Sequence, residues 1–266
     1  MFHVIFRITK TPHVLAFLML FAIPWLQRAA AAAETCALAQ FAGRYVGLDN
    51  RYVHSQGRTT PAARLYQETW TTDGQVWGTL WLRQGKRFSA SPYQGHVAIS
   101  LDCVATLTRT LPTGTWNSTA TISPTSRRGF TLDTNRGSTI SGTLSPQPQA
   151  TCRSDTLHGL ILSSQMGFSL TQGVWRPNAV IQRETHDGKG QLNGLAITSY
   201  AGKIGQVDYT GSFQVNTDCW GSLTEVDNLG TLYHYQVVVS ADGSGYYYLQ
   251  TDPKDLTGAF LAVESQ

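Results

Sequence analysis

Glu68 and Glu184 are the residues of this sequence most suited to moving a proton. Each heads a Glu-Thr pair inside a run of alternating side chains, and the two stand 116 positions apart. A carboxylate held in a ring-lined cavity has its pKa raised by desolvation and can serve as general acid or base. Rings surround only the first of them: Tyr66, Trp70, Trp77 and Trp81 flank Glu68 on both sides of an Asp73-Gly74 pair. A two-residue type I′ turn at Asp73-Gly74 pairs Trp70 with Trp77, Glu68 with Thr79 and Tyr66 with Trp81, so that all six share one face. The other face then carries Leu65, Val76, Gly78, Leu80 and Leu82, with Gln67 and Thr69 as its polar members.

Other chemistry finds little support. Tyr93-Gln94-Gly95 and Tyr209-Thr210-Gly211 could offer a phenol to a proton, but fit a structural tyrosine beside a strand glycine as well. His54, His96, His158, His186 and His234 each stand alone, without H-x-H, H-x-x-x-H or H-E-x-x-H spacing, so no transition-metal site is indicated. The Asp252–Asp255 segment reads as an ordinary Asp-Pro turn before it reads as a calcium loop. There is no G-x-S-x-G, no P-loop and no G-x-G-x-x-G, so the common hydrolase and nucleotide signatures are missing. The expectation is therefore neither metal nor cofactor.

The elements that hold these residues come in two copies. Set against itself at an offset of 116, residues 36–145 match residues 152–261 without a gap at 21 positions, among them Cys36/Cys152, Glu68/Glu184, Tyr93/Tyr209 and Cys103/Cys219. Such self-similarity fixes architecture more firmly than function. Each copy is built of short alternating runs, such as Ala63–Trp70, Val76–Arg83, Gly95–Leu101, Thr115–Ser123 and Thr139–Ser145, broken by glycine, proline or Asp-Gly. This predicts an all-β chain of two tandem antiparallel barrels, about eight strands each, joined by a Pro146-Gln147-Pro148-Gln149 spacer. One larger barrel shared by both copies is the alternative.

The aromatic cluster is absent from the second copy, where the corresponding face reads Gln182, Glu184, His186, Asn193, Leu195 and Ile197. Folding of the unit therefore does not require it. Three readings follow: the rings line a ligand pocket with Glu68 as polar anchor, they form an outward platform for a sugar or a protein partner, or they are where one barrel packs on the other.

Residues 1–33 are expected to be a signal peptide, from Arg7 and Lys10, the apolar run Val14–Ile23 and the small residues Ala31-Ala32-Ala33. The expected units are then 34–145, a linker at 146–151, and 152–266. Arg7, Lys10 and Arg28 leave with the peptide, reducing 20 basic residues to 17 against 17 acidic ones. A neutral mature chain gives no electrostatic footprint for nucleic acid. Four cysteines in an exported chain read as two disulfides. Of three possible pairings, Cys36–Cys103 with Cys152–Cys219 lets each copy fold as its own unit and contributes about 4 kcal/mol per bridge. An outer-membrane barrel is disfavoured by short strands and broken apolar bands.

The run of Asp-Gly or Lys-Gly hairpin, Tyr-x-Gly, Asp-Cys and threonine-rich strand resembles exported bacterial proteins, themselves uncharacterised, that carry one or two such units. Gly43-Arg44-Tyr45 is also similar, more distantly, to the G-x-W start of the lipocalin and allene-oxide-cyclase type of barrel, with tyrosine for tryptophan; Gly159-Leu160-Ile161 departs further. What the resemblance implies is a barrel that binds an apolar small molecule or holds a reactive one in shape. The expectation is an exported, periplasmic or extracellular binding protein, taking a small apolar or aromatic-stacking ligand through Tyr66, Glu68, Trp70, Trp77 and Trp81. The alternatives are a cyclase or isomerase using Glu68 as acid or base, and an adhesion module with an exposed aromatic platform. No membrane span is expected in the mature chain.

Overall fold

The computed structural model describes residues 35–55 and 58–263; the expected signal peptide lies outside them. Sixteen strands form two closed, all-antiparallel barrels of eight. The first comprises β1 (Gly43–Ser55), β2 (Arg58–Trp70), β3 (Gln75–Gln84), β4 (Arg87–Ile99), β5 (Val104–Leu111), β6 (Gly114–Ile122), β7 (Gly129–Asp133) and β8 (Ser138–Gln147). The second comprises β9 (His158–Thr171), β10 (Val174–Asp187), β11 (Gln191–Tyr200), β12 (Lys203–Val215), β13 (Trp220–Asp227), β14 (Leu232–Val239), β15 (Gly245–Gln250) and β16 (Asp255–Val263). Pairing of β1 with β8, and of β16 with β9, closes each sheet and leaves no free edge. The two-barrel expectation holds, and the single shared barrel does not form. Pro146 and Gln147, expected in the spacer, instead complete β8 opposite Tyr45 and Arg44. Gln147 is also tied to the second barrel, its Oε1 accepting from Ala241 N at 3.2 Å.

Disulfides Cys36–Cys103 and Cys152–Cys219 join the approach to each barrel to its β4–β5 or β12–β13 turn. Both turn cysteines adopt left-handed backbone, φ 63° at Cys103 and 73° at Cys219.

The expected hairpin register is wrong by one residue, and the cause is local. Gly74 N donates to Thr71 C=O, and Thr71 N donates to Gln75 C=O. The loop therefore holds three residues, Thr72-Asp73-Gly74, with Gly74 supplying the left-handed position at φ 88°. Trp70 consequently faces Val76, Glu68 faces Gly78 and Tyr66 faces Leu80. A slip of one residue sends every side chain of the second strand to the other face. Tyr66, Glu68 and Trp70 thus point into the barrel with Val76 and Leu80, whereas Trp77 and Trp81 point out with Leu65, Gln67 and Thr69. The second copy keeps the register, pairing His186 with Leu192 and Glu184 with Gly194.

Each lumen holds its own apolar cluster, as expected of eight-stranded barrels. A third core lies between the barrels. Val46, Leu48, Ala63 and Leu65 on the outside of β1 and β2 meet Trp220, Val238, Tyr247, Leu249 and Leu256 of the second barrel. The apolar outer face of the first copy's opening strands is therefore buried by the second copy.

Candidate functional site

Glu68 sits in a row of three register partners, Glu68 on β2, Gly78 on β3 and Tyr93 on β4. A Cβ at Gly78 would stand 2.7 Å from the Tyr93 hydroxyl. The missing side chain is what lets the tyrosine ring cross β3 and donate to Glu68 Oε2 at 2.8 Å. The same row recurs as Glu184, Gly194 and Tyr209, with Tyr209 donating to Glu184 Oε2 at 3.1 Å. This shared row accounts for three of the identities between the copies.

In the first barrel a second strand completes the site. Arg109 on β5 meets Glu68 as a fork, Nε to Oε2 at 2.6 Å and Nη2 to Oε1 at 2.7 Å, while Nη1 donates to Ser118 at 2.7 Å. Trp70 Nε1 adds a bond to Oε1 at 2.9 Å. Four donors leave the carboxylate satisfied, and both partners of the pair are wholly buried. Burial opposes the Arg109 charge, but the Glu68 carboxylate outweighs it and holds the guanidinium protonated above its ordinary range. Tyr93 is pushed far above ordinary phenol values by burial and then by Glu68. Acid–base work by Glu68 would require breaking a bidentate buried ion pair, whose members are strongly held once desolvated.

A second ion cluster shares this lumen. Arg64 lies 2.8 Å from Asp133 and 3.7 Å from Asp49, which also accepts from Thr131 at 2.8 Å. Arg64 and Arg109 both lie over the Trp116 ring, at 4.4 and 4.0 Å from its centroid. Sequence reading missed Arg64, Arg109, Asp49, Asp133 and Trp116. The available signal was phase: Arg109 follows Ala105 and Leu107 on the buried side of β5.

The five residues expected to bind ligand are thus split three ways. Tyr66, Glu68 and Trp70 are interior and fully packed. Trp81 stacks on Trp220 of the second barrel, centroids 4.7 Å apart and planes 17° from parallel. Trp77 stays 49% exposed. It stands in a groove of about 570 Å³ between the barrels, whose polar lining includes Arg44, Gln67, Thr69, Thr79, Asn216 and Asp218. Gln67 bridges the groove by donating to Asp218 C=O at 3.3 Å, while Arg44 Nη1 is buried without a hydrogen-bond partner among the described residues. A second, mainly apolar cleft of about 320 Å³ runs past Tyr52, Ala62, Met166, Phe168, Pro177 and Leu256.

No group of three or more His, Cys, Asp or Glu among the described residues is gathered as metal ligands. The Asp252 carboxylate is engaged by His234, through backbone N at 2.7 Å and Nδ1 at 2.8 Å. No described helix is long and apolar enough to cross a membrane.

Fold and site define a protein of two tandem β-barrels, each with its own disulfide, joined by an apolar interface beside an aromatic groove. No protein-family model matches the chain, and no curated protein matches it, so neither supports the lipocalin-like relation. Among solved structures, it is similar to the isotype 1 transferrin binding protein B of serogroup B Neisseria meningitidis. The match has 7% identity and a TM-score of 0.33 and covers 85% of this chain and 77% of that one. A likeness this low carries nothing about ligand or activity.

Proposed function

We propose that this protein is an exported binding module that receives a glycan on Trp77 in the groove between its barrels. The carrying observation is Trp77 itself, a large flat ring left half in solvent inside a groove that sets hydrogen-bonding side chains beside the rings of Trp81 and Trp220. An indole offers the C–H face of a sugar ring a flat apolar surface, and the amides, hydroxyls and guanidinium around it suit the sugar's edge. Both barrels contribute, since Asn216 and Asp218 come from the turn after β12. The two disulfides fit an oxidising compartment and hence export, with residues 1–33 removed as the signal peptide and the units 34–145 and 152–266 exposed together. Ligand binding inside the first lumen is disfavoured by its filling with paired charges and rings.

The test is a glycan array probed with the wild-type protein and with Trp77→Ala. A specific signal that falls at least tenfold in the variant supports the reading. A blank array, or equal binding by both proteins, overturns it. A second reading keeps the small apolar ligand but moves it to the cleft at Met166, which is 77% exposed among apolar neighbours. Native mass spectrometry distinguishes that case, through a bound mass that persists in Trp77→Ala and is lost in Met166→Asp.

A further inference from the structure

The offset that superposes the copies carries Arg109 of β5 onto Glu225 of β13, and both side chains are buried inside their barrels. The consequence is a second lumen that keeps buried acids but loses the arginines set against them. In the first, Arg64 and Arg109 face Asp49, Glu68 and Asp133. In the second, the buried ionisable side chains among the described residues are Glu184, His186, Glu225 and Asp227 together with tyrosines, with no lysine or arginine.

The three acids of the second lumen are not equally served. Glu184 accepts from Tyr246 at 2.5 Å, His186 at 2.9 Å and Tyr209 at 3.1 Å. Asp227 accepts from Leu229 N, Thr231 N and the Tyr233 hydroxyl, which hold it ionised below the ordinary carboxyl range although burial opposes this. Among the described residues Glu225 accepts only from Tyr235, at 3.1 Å to Oε2. Burial, and after it the nearby Glu184, push its carboxyl well above the ordinary range. An anion there lacks a positive partner among the described residues.

Glu225 lines a cavity of about 50 Å³ together with Gln165, Asp227, Tyr209, Tyr233 and Tyr235. Gln165 is only 8% exposed. Its Nε2 is spent on Gln182 at 2.8 Å, and its Oε1 has no partner among the described residues. The cavity thus presents an unused carboxylate oxygen, an unused amide oxygen and aromatic walls. Its volume has room for roughly three to five non-hydrogen atoms, counting each as water-sized. Exposed Tyr200 and half-buried Thr198 border it on the solvent side.

We propose that the lumen of the second barrel binds a small organic cation, bearing a guanidinium or primary ammonium group, between Glu225, Gln165 Oε1 and the tyrosine rings. The bound cation takes the part that Arg109 plays in the first barrel, where the guanidinium meets a carboxylate and lies over Trp116, Tyr66 and Tyr93. Tyr209 is the counterpart of Tyr93. Ring faces favour an organic cation over a metal ion, and so does the lack of a gathered ligand set among the described residues. The site is separate from the Trp77 groove and does not depend on it.

The experiment is thermal unfolding of the disulfide-bonded protein at pH 8 with millimolar methylguanidinium chloride, against sodium chloride at equal ionic strength. A saturable rise is expected, about 2–4 °C at some five times the dissociation constant. It should vanish in the near-isosteric Glu225→Gln and persist in Trp77→Ala. No rise over sodium chloride, or an equal rise in Glu225→Gln, overturns the proposal. Carbon-13 NMR of labelled glutamate gives a second readout, in which methylguanidinium should shift the Glu225 carboxyl signal toward the ionised position. A Glu225 carboxyl that stays protonated at pH 8 with or without the cation overturns the proposal as well.

Discussion

The two barrels share a skeleton and differ in what fills them. Both keep the disulfide, the three-strand row of glutamate, glycine and tyrosine, and the hairpin register beside it. The first lumen is a closed network in which each carboxylate meets an arginine and the rings pack on the guanidinium groups. The second replaces Arg109 by Glu225 and, in the strand position opposite it, Trp116 by Tyr233, and spends tyrosine hydroxyls where the first spends arginine. One scaffold thus carries an interior whose acids face arginines and one whose acids face tyrosine hydroxyls. Because the barrel is held by backbone pairing and the disulfide, its lumen is free to keep or lose its cations.

The sharpest break of this contrast is Arg109→Met. It leaves Glu68 buried without its cation and should cost about 3–5 kcal/mol in denaturant unfolding, with much of that recovered in the double variant Glu68→Gln/Arg109→Met. A small loss in the single variant would mean that Trp70 and Tyr93 alone sustain the carboxylate. Removing either disulfide by paired Cys→Ser substitution should cost about 2–5 kcal/mol. Both bridges span a separation of 67 residues, so loop entropy predicts equal costs, and any measured difference reports on the packing of each barrel.

Trp81→Ala should cost about 2 kcal/mol by opening the stack with Trp220, with the loss falling on cooperativity between the barrels in calorimetry. Glu225→Gln should act in the opposite direction to Arg109→Met. The carboxyl's folded-state pKa lies above its ordinary 4.5, so the folded chain retains a proton that the unfolded chain has lost. Stability therefore falls as pH rises from about that value through the folded pKa. Without added cation, the variant should melt a few degrees higher than wild type at pH 8 and alike at pH 4. Asp49, raised chiefly by burial, adds a loss of the same sign in the first barrel, which the variant keeps. Trp77→Ala should change stability least, within about 0.5 kcal/mol, because half of the ring is already in water; its expected effect is on the proposed glycan binding.

Much of this architecture was readable from local pattern. Alternation located the strands, the 116-residue offset divided the chain, and cysteines placed one pair per copy were bridged within each copy. Glu68 and Tyr93 gave hints as well, because both recur where the aromatic cluster does not, as groups needed for folding would. The face assignment failed on a single residue of loop length. Asp73-Gly74 suggested two turn residues, and Thr72 joined them as a third, so Trp77 and Trp81 moved outside.

Within one strand the period of two fixes which side chains travel together, and residue types alone reveal it. The phase of one strand against the next depends on how its turn closes, and that is decided by backbone geometry at Thr71–Gln75. The Glu68–Arg109 pair, 41 residues apart, exists only because three successive pairings bring β2 and β5 around one lumen. The stack of Trp81 on Trp220 likewise needs two finished barrels to meet. Composition and spacing set the elements and their two copies; closure and docking set which charges are paired, which ring is left in solvent and which carboxylate faces no arginine or lysine.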